Sequence, residues 1–167
     1  MANIFVPKIM VPTVYDVDSN FLKKHNIKGI IYDVDNTLVG FKIRVPDEKL
    51  ISHIEGLKNE GFKLFIISNN KKERVDEFNK SLGLSYIFRG MKPLWFSFFS
   101  AAKKMGLKRK EIVVVGDQIF TDVLGGNISS MLTVMVDPID LKETFLFKLK
   151  RFLEKPFVKI YQRRNNK

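Results

Sequence analysis

Four short stretches of the chain are nearly unbroken runs of apolar, mostly β-branched side chains: KGIIYDV from Lys28, FKLFIIS from Phe62, EIVVVGD from Glu111 and LTVMVDP from Leu132. Runs of that length and composition are expected of strands covered on both faces. Between them the period changes. In PDEKLISHIEGLKNEG, Leu50, Ile54 and Leu57 recur at helical spacing, with Gly61 as the stop. NNKKERVDEFNKSLG places Val75, Phe78 and Leu82 on one face. PLWFSFFSAAKKMG opens on Pro93 and closes on Gly106, and TDVLGGNISS is a shorter, glycine-weakened candidate. LVGFKIRV, directly after the first strand, predicts a hairpin. Strands alternating with helices predict an α/β fold built on a doubly wound parallel sheet. Residues 1–140 are expected to form the domain, and 141–167 a basic amphipathic helix and tail.

Nearly the same hexapeptide occurs twice, YDVDSN from Tyr15 and YDVDNT from Tyr32. Context separates the copies. Asp33 stands where the first apolar run ends, and ligands of open parallel sheets collect at the carboxyl ends of strands. Asp16 and Asp18 precede FLKKH, so Asp18 or Ser19 reads as a helix N-cap. The other apolar runs also break into polar residues at the same end: Ser68, Asn69 and Asn70, then Lys92 in GMKP, then Asp117 and Asp122 in GDQIFTD. Each of these alone serves equally well as a cap, a turn or a solvated loop residue. Together they put carboxylate, hydroxyl, ammonium and carboxylate along one edge, the composition of a phosphoryl-transfer site.

Composition narrows the chemistry. The 167 residues are 45% hydrophobic and 28% charged, enough for one domain with a full core. With no cysteine and only His25 and His53, thiolate zinc sites and cysteine nucleophiles are excluded, so any metal must sit on oxygen ligands. The N-terminal segment suits neither a signal peptide nor a membrane span, which predicts a cytoplasmic protein. The net charge of +11 is uneven: residues 141–167 hold nine Lys or Arg against two Glu, a balance of +7. Leu141, Phe145, Leu149 and Phe152 fall on one helical face, which predicts packing on the sheet's flank. Beyond Pro156, Phe157, Val158, Ile160 and Tyr161 interleave with Lys159, Arg163 and Arg164, which predicts peripheral contact with an anionic membrane at its inner face. Nucleic acid is the alternative partner for such a tail.

DVDNTLV, ISNN, GMKP and GDQIFTDVLGGN resemble, in order, the four motifs of the haloacid dehalogenase (HAD) phosphatase superfamily. Together they are similar to its small YqeG-type branch, which also contains mitochondrial phosphatidylglycerophosphate phosphatases. The resemblance runs from about Val11 to Pro138. It implies that Asp33 is the nucleophile, forming an aspartyl phosphate, and Asp35 the general acid and base. It further implies phosphate binding by Ser68, Asn69 and Lys92, and Mg²⁺ held by Asp33, the backbone carbonyl of Asp35, and Asp117. Thr37 would hold the loop through its hydroxyl, and Asp122 would orient Lys92 or a metal-bound water. One position departs from the branch: Ile128 stands where arginine commonly follows the asparagine, so no phosphate contact is expected there. The spacings from Asp33 to Ser68 and from Ser68 to Lys92 leave no room for a cap module. An open site predicts a phosphate displayed on something large: a lipid surface first, with phosphatidylglycerophosphate as the specific expectation. Nucleic-acid ends or nucleotides, and a non-catalytic RNA-binding module of this fold, are the alternatives.

Overall fold

The structure, a computed structural model, describes residues 3–140 and 145–165. Six parallel strands form one sheet: β1 (Ile9–Val11), β2 (Gly29–Tyr32), β3 (Lys63–Ile67), β4 (Ser85–Ile87), β5 (Ile112–Gly116) and β6 (Leu132–Val136), in the spatial order β1-β6-β5-β2-β3-β4. The helices are α1 (Ser19–Lys24), α2 (Glu48–Asn59), α3 (Lys72–Asn79), α4 (Trp95–Met105), α5 (Leu124–Ile128) and α6 (Phe145–Asn165). The sheet alternation sorts the core into two layers. Ile30 and Tyr32 of β2 point to one side, with Leu50, Ile54 and Leu57 of α2 and Val75 and Phe78 of α3. Ile31 points to the other, with Phe65, Ile67 and Phe98, Ala101 and Met105 of α4. Both faces of the central strands are therefore dry, which is why their sequences show no polar alternation.

The doubled hexapeptide divides as its surroundings dictate. Asp18 caps α1, its carboxylate accepting from Phe21 N at 2.7 Å. Asp16 accepts from the N–H and hydroxyl of Thr13, both at 2.8 Å, inside a 3₁₀ turn over Val14–Asp16.

Two local expectations fail, and one strand goes unannounced. No hairpin follows β2. Asp35 and Val39 make a single bridge around a turn over residues 36–38, and the chain then runs irregularly to α2. Asn36, at φ 68°, anchors that turn to the far side of the sheet: its side chain accepts from Asp140 N at 2.6 Å and donates to Asp140 O at 3.1 Å. Ile9–Val11 lies between two prolines and gives no sequence signal, yet it pairs with β6 as an edge strand, where three residues suffice.

The second failure is the tail. α6 runs through Pro156 without ending. Its distal half, the stretch expected to face a membrane, packs on the domain. Phe157 and Val158 lie against Ile119, Val123 and Met135, Phe157 sits 5.1 Å from the Phe5 ring, and the Tyr161 hydroxyl accepts from Met10 N at 3.0 Å. Its proximal half, expected to pack, leaves Leu149, Phe152 and Leu153 exposed. Leu141 lies outside the described residues.

Candidate active site

β2 and β5 are neighbours at the centre of the sheet, and their register sets Tyr32 opposite Val115. Asp33 N donates to Val115 O at 3.0 Å, continuing that pairing by one residue. Asp33 and Asp117 therefore leave adjacent strand ends close together. β3 ends one strand away and delivers Ser68, buried, whose hydroxyl oxygen accepts from Asn70 N at 3.1 Å.

Lys92 is brought in by the loop after β4. Gly90 N and Arg89 N donate to the carbonyls of Ser68 and Asn70, each at 2.9 Å, which pins the loop to the end of β3. Only glycine fits at 90, because a Cβ there would overlap the Ile67 side chain. Asn69 then brackets the lysine backbone, accepting from Lys92 N at 2.7 Å and donating to Lys92 O at 3.2 Å, ahead of a cis Lys92–Pro93 bond. The buried Lys92 ammonium donates to Asp33 Oδ1 at 2.6 Å and Asp122 Oδ1 at 2.7 Å.

Asp122 rises from a π-helical turn, Ile119–Val123, directly behind β5. Its carboxylate lies over Gly116, and any Cβ at that position would overlap it. Asp122 Oδ2 accepts from the Thr121 hydroxyl at 3.2 Å and from Gln118 N at 3.4 Å. The Thr37 hydroxyl sits between the two central acids, 3.4 Å from Asp33 Oδ2 and 3.2 Å from Asp117 Oδ1, and its one hydrogen serves them in turn.

Burial dominates the electrostatics. It pushes the Asp33 carboxyl up to about 8, against the attraction of Lys92 and with added repulsion from Asp122 and Asp117. Burial likewise lifts Asp117 to about 6, opposed by Arg151. For Lys92 burial pulls downward, but Asp122 and Asp33 outweigh it and hold the ammonium above the ordinary lysine range. Carboxylate oxygens of Asp33, Asp117 and Asp122 lie within 4.8 Å of one another, all three residues buried. Hard oxygen donors crowded at that distance fit a small divalent cation such as Mg²⁺.

Asp33, Asp35, Ser68, Asn69 and Lys92 all line one open cleft of about 350 Å³, with Phe41 and Lys150 on its walls. Asp35 is held differently from Asp33. Arg74 of α3 donates to its Oδ1 through Nε at 3.1 Å and Nη2 at 2.8 Å, and Asn70 donates to Oδ2 at 3.1 Å. Arg74 carries no sequence signal of a role and reads as one more charge on the polar side of a helix. It is buried, and its position one residue before Val75 on the inward edge of α3 is the only local hint.

Sequence reasoning also missed the contribution of α6. The Arg151 guanidinium donates to Asp117 Oδ2 and to the Asp117 backbone carbonyl. Beside it the buried Glu154 accepts from Ile119 N at 2.7 Å and lies 3.3 Å from Arg151. This Arg–Glu pair fastens the helix to the segment that carries Asp117 and Asp122. No periodicity could announce it, since its partners lie more than thirty residues away.

Comparison with known proteins identifies the relatives of the chain. The sequence profile of haloacid dehalogenase-like hydrolases matches residues 42–128. The chain is 35% identical over 166 residues to the probable phosphatase YqeG of Bacillus subtilis, covering 99% of this chain and 96% of that protein. It is 26% identical over 172 residues to the chloroplastic/mitochondrial phosphatidylglycerophosphate phosphatase 1 of Arabidopsis thaliana, spanning 97% of this chain but 49% of that protein. Among solved structures it is similar in fold to the cobalt-bound deoxy-D-mannose-octulosonate 8-phosphate phosphatase of Haemophilus influenzae. The TM-score is 0.57 at 15% identity, with 84% of this chain and 92% of that one covered.

Proposed function

The chain belongs to the haloacid dehalogenase-like hydrolases and is a phosphatase of that family, and from that premise we propose that it is a Mg²⁺-dependent enzyme acting on a lipid phosphomonoester through Asp33, with phosphatidylglycerophosphate as the substrate. The observation that carries the chemistry is the gathering of Asp33, Asp35, Ser68 and Lys92 on one cleft, with Asp117 directly behind it. The lipid assignment is supported by the openness of that cleft. Between Asp33 and Ser68 the chain forms only an irregular loop, α2 and β3, and between Ser68 and Lys92 only α3 and β4, so nothing is inserted to enclose a small metabolite. It is supported further by the name that the Arabidopsis relative carries.

In this reading an Asp33 carboxylate oxygen attacks phosphorus. The bond from phosphorus to the ester oxygen breaks, and the departing oxygen takes a proton from Asp35. A water then attacks the aspartyl phosphate, Asp35 takes back a proton, and phosphate leaves with Asp33 restored. Lys92 holds a fixed positive charge beside the nucleophile, 2.6 Å from Asp33 Oδ1, while Asp122 keeps the ammonium aimed there. Ser68 offers its hydroxyl to a phosphoryl oxygen, and Asn69 fixes Lys92 through its backbone. Arg74 and Asn70 hold the Asp35 carboxylate at the rim of the cleft, where a leaving group would stand. Mg²⁺, held by Asp33, the Asp35 backbone carbonyl and Asp117, would supply the charge neutralisation that lets a carboxylate approach a phosphate.

The test is phosphate release by the purified protein from lipid, nucleotide, sugar and polynucleotide monoesters, with Mg²⁺ and again after chelation. Fastest release from phosphatidylglycerophosphate, abolished by chelation and restored by Mg²⁺, is the expected result. Preference for phosphorylated oligonucleotides would overturn the lipid assignment, and full activity after chelation the metal assignment.

A further inference from the structure

Of the thirteen large apolar side chains exposed among the described residues, ten lie on three segments, and Ile4, Ile128 and Ile139 lie elsewhere. Phe88, Met91, Leu94, Trp95 and Phe96 lie on the stretch that carries Lys92 to the site. Leu149, Phe152 and Leu153 lie on the turns of α6 that carry Lys150 and Arg151, and Ile43 and Val45 follow Phe41 on the loop after β2. Their exposures run from 38% at Phe88 to 64% at Phe152. All three segments flank the cleft, since Lys92, Lys150 and Phe41 each line it. Isolated exposed hydrophobics need no explanation; their concentration on the segments that border one opening does.

The charge on the same segments has one sign. Lys42, Arg89, Lys148, Lys150 and Lys155 are exposed, whereas the one acid within 41–45, 88–96 and 148–155, Glu154, is 2% exposed and turned inward. Lys155 lies 5.6 Å from the Phe152 ring, so base and hydrophobe are interleaved.

We propose that this rim is a docking surface for an anionic lipid bilayer, which seats the cleft against the headgroups. Aliphatic side chains and a tryptophan among lysines and arginines match the depth profile of a membrane interface, where the chains enter the acyl boundary and the bases stay with the phosphates. Bases of single-stranded nucleic acid would ask for aromatic stacking surfaces; six of these ten residues are Leu, Ile, Val or Met. The docking surface thus belongs to the mouth of the site and not to the distal part of α6, whose apolar residues are spent on Phe5, Ile119 and Met135. The proposal rests on the lipid reading of the cleft for its purpose, but docking is measured without turnover.

Trp95 is the only tryptophan in the chain and is 52% exposed, so it reports on the rim directly. With vesicles of equimolar phosphatidylglycerol and phosphatidylcholine its emission should shift to the blue and become quenchable by brominated acyl chains. Phosphatidylcholine alone should give little shift. Each basic residue at an anionic surface strengthens partition about fivefold, so binding should fall steeply with added salt. Met91→Ser combined with Leu149→Ser and Phe152→Ser should weaken sedimentation with vesicles at least about tenfold, and leave hydrolysis of a soluble aryl phosphate unchanged. If the triple variant does not fold, the Trp95 measurement on the unaltered protein decides. An unshifted Trp95 on vesicles that do sediment the protein overturns the proposal, as does a folded variant that sediments undiminished. A lipid-free shift that grows with protein concentration assigns the face to a second copy instead, and a shift with single-stranded RNA but not vesicles assigns it to nucleic acid. Loss of aryl phosphate hydrolysis in the unaltered protein, with docking intact, would sink the phosphatase chemistry alone.

Discussion

Asp16 and Asp33 begin the same D-V-D triplet, and their different fates are decided by what surrounds each carboxylate. Asp16 lies in a surface turn and holds the Thr13 N–H and hydroxyl. Asp33 is buried beside Lys92, Thr37 and two further acids. Asp33→Asn should therefore abolish Mg²⁺-dependent release of phosphate, because an amide is neither a nucleophile nor a good ligand for a hard cation. Asp16→Asn keeps an acceptor for Thr13 and should cost about 1 kcal/mol of stability or less, with kcat nearly unchanged. Equal losses of kcat in two folded variants would show that the copies have been told apart wrongly. Glycine at 116 is a second residue-scale constraint, since a Cβ there would occupy the space of the Asp122 carboxylate. Gly116→Ala should push Asp122 off Lys92, lowering kcat by about a hundredfold, the scale of a 1 Å misplacement in an active site. Gly56→Ala is the control: nothing lies within 4 Å of its Cβ position in the middle of α2, so urea denaturation should find the protein unharmed or up to about 1 kcal/mol more stable.

At the scale of elements, α6 couples the end of the chain to the acids of the site. Arg151 takes Asp117 Oδ2 and the adjoining carbonyl, so a guanidinium stands where a metal would compete for the same carboxylate. Arg151→Ala removes a positive charge from the edge of the proposed Mg²⁺ site. Calorimetric titration with Mg²⁺ should show affinity raised by about tenfold, the equivalent of one charge-assisted contact released. Unchanged or weaker affinity would mean that Arg151 supports the site rather than competing for it. What the sequence discloses and what it hides follow the range of the forces concerned. β2, β3, β5 and β6 are legible because a strand dry on both faces must be apolar throughout, and α2 to α4 because one apolar stripe suffices to dock a helix. The convergence of Asp33, Ser68, Lys92 and Asp117 is legible because strand polarity alone puts all four ends at one edge. β1 is hidden because an edge strand of three residues needs only backbone pairing with β6. α6 has apolar residues on two faces, and periodicity cannot say which face meets Ile119 and Met135 and which meets solvent. Arg74 and Arg151 are hidden for the same reason as each other: an arginine becomes a buried partner only when the fold brings it a carboxylate from far along the chain.

For the molecule as a whole, the site is a cost to the fold that a cation should relieve. Three buried carboxylates share Lys92 and Arg151, leaving one negative charge in excess among these five groups. Burial raises Asp33 to about 8 and Asp117 to about 6 from an ordinary value of 3.8, so between those limits the metal-free folded chain binds protons that the unfolded chain has released. The sign follows from linkage: stability tied to these groups is full below about pH 4 and is lost as pH rises through 6 and 8. Metal-free protein should accordingly show a falling urea midpoint from pH 6 to pH 8. Asp33→Asn, which removes the group with the higher value, should flatten that slope. Saturating Mg²⁺ should raise the midpoint more at pH 8 than at pH 6, because by pH 8 Asp117 is ionised, Asp33 is about half ionised, and fewer protons compete with the cation. A midpoint that rises with pH in the metal-free protein, or a Mg²⁺ effect larger at pH 6 than at pH 8, would contradict the view that the burial of charged Asp33 and Asp117, with their mutual repulsion, is the strain the cation relieves.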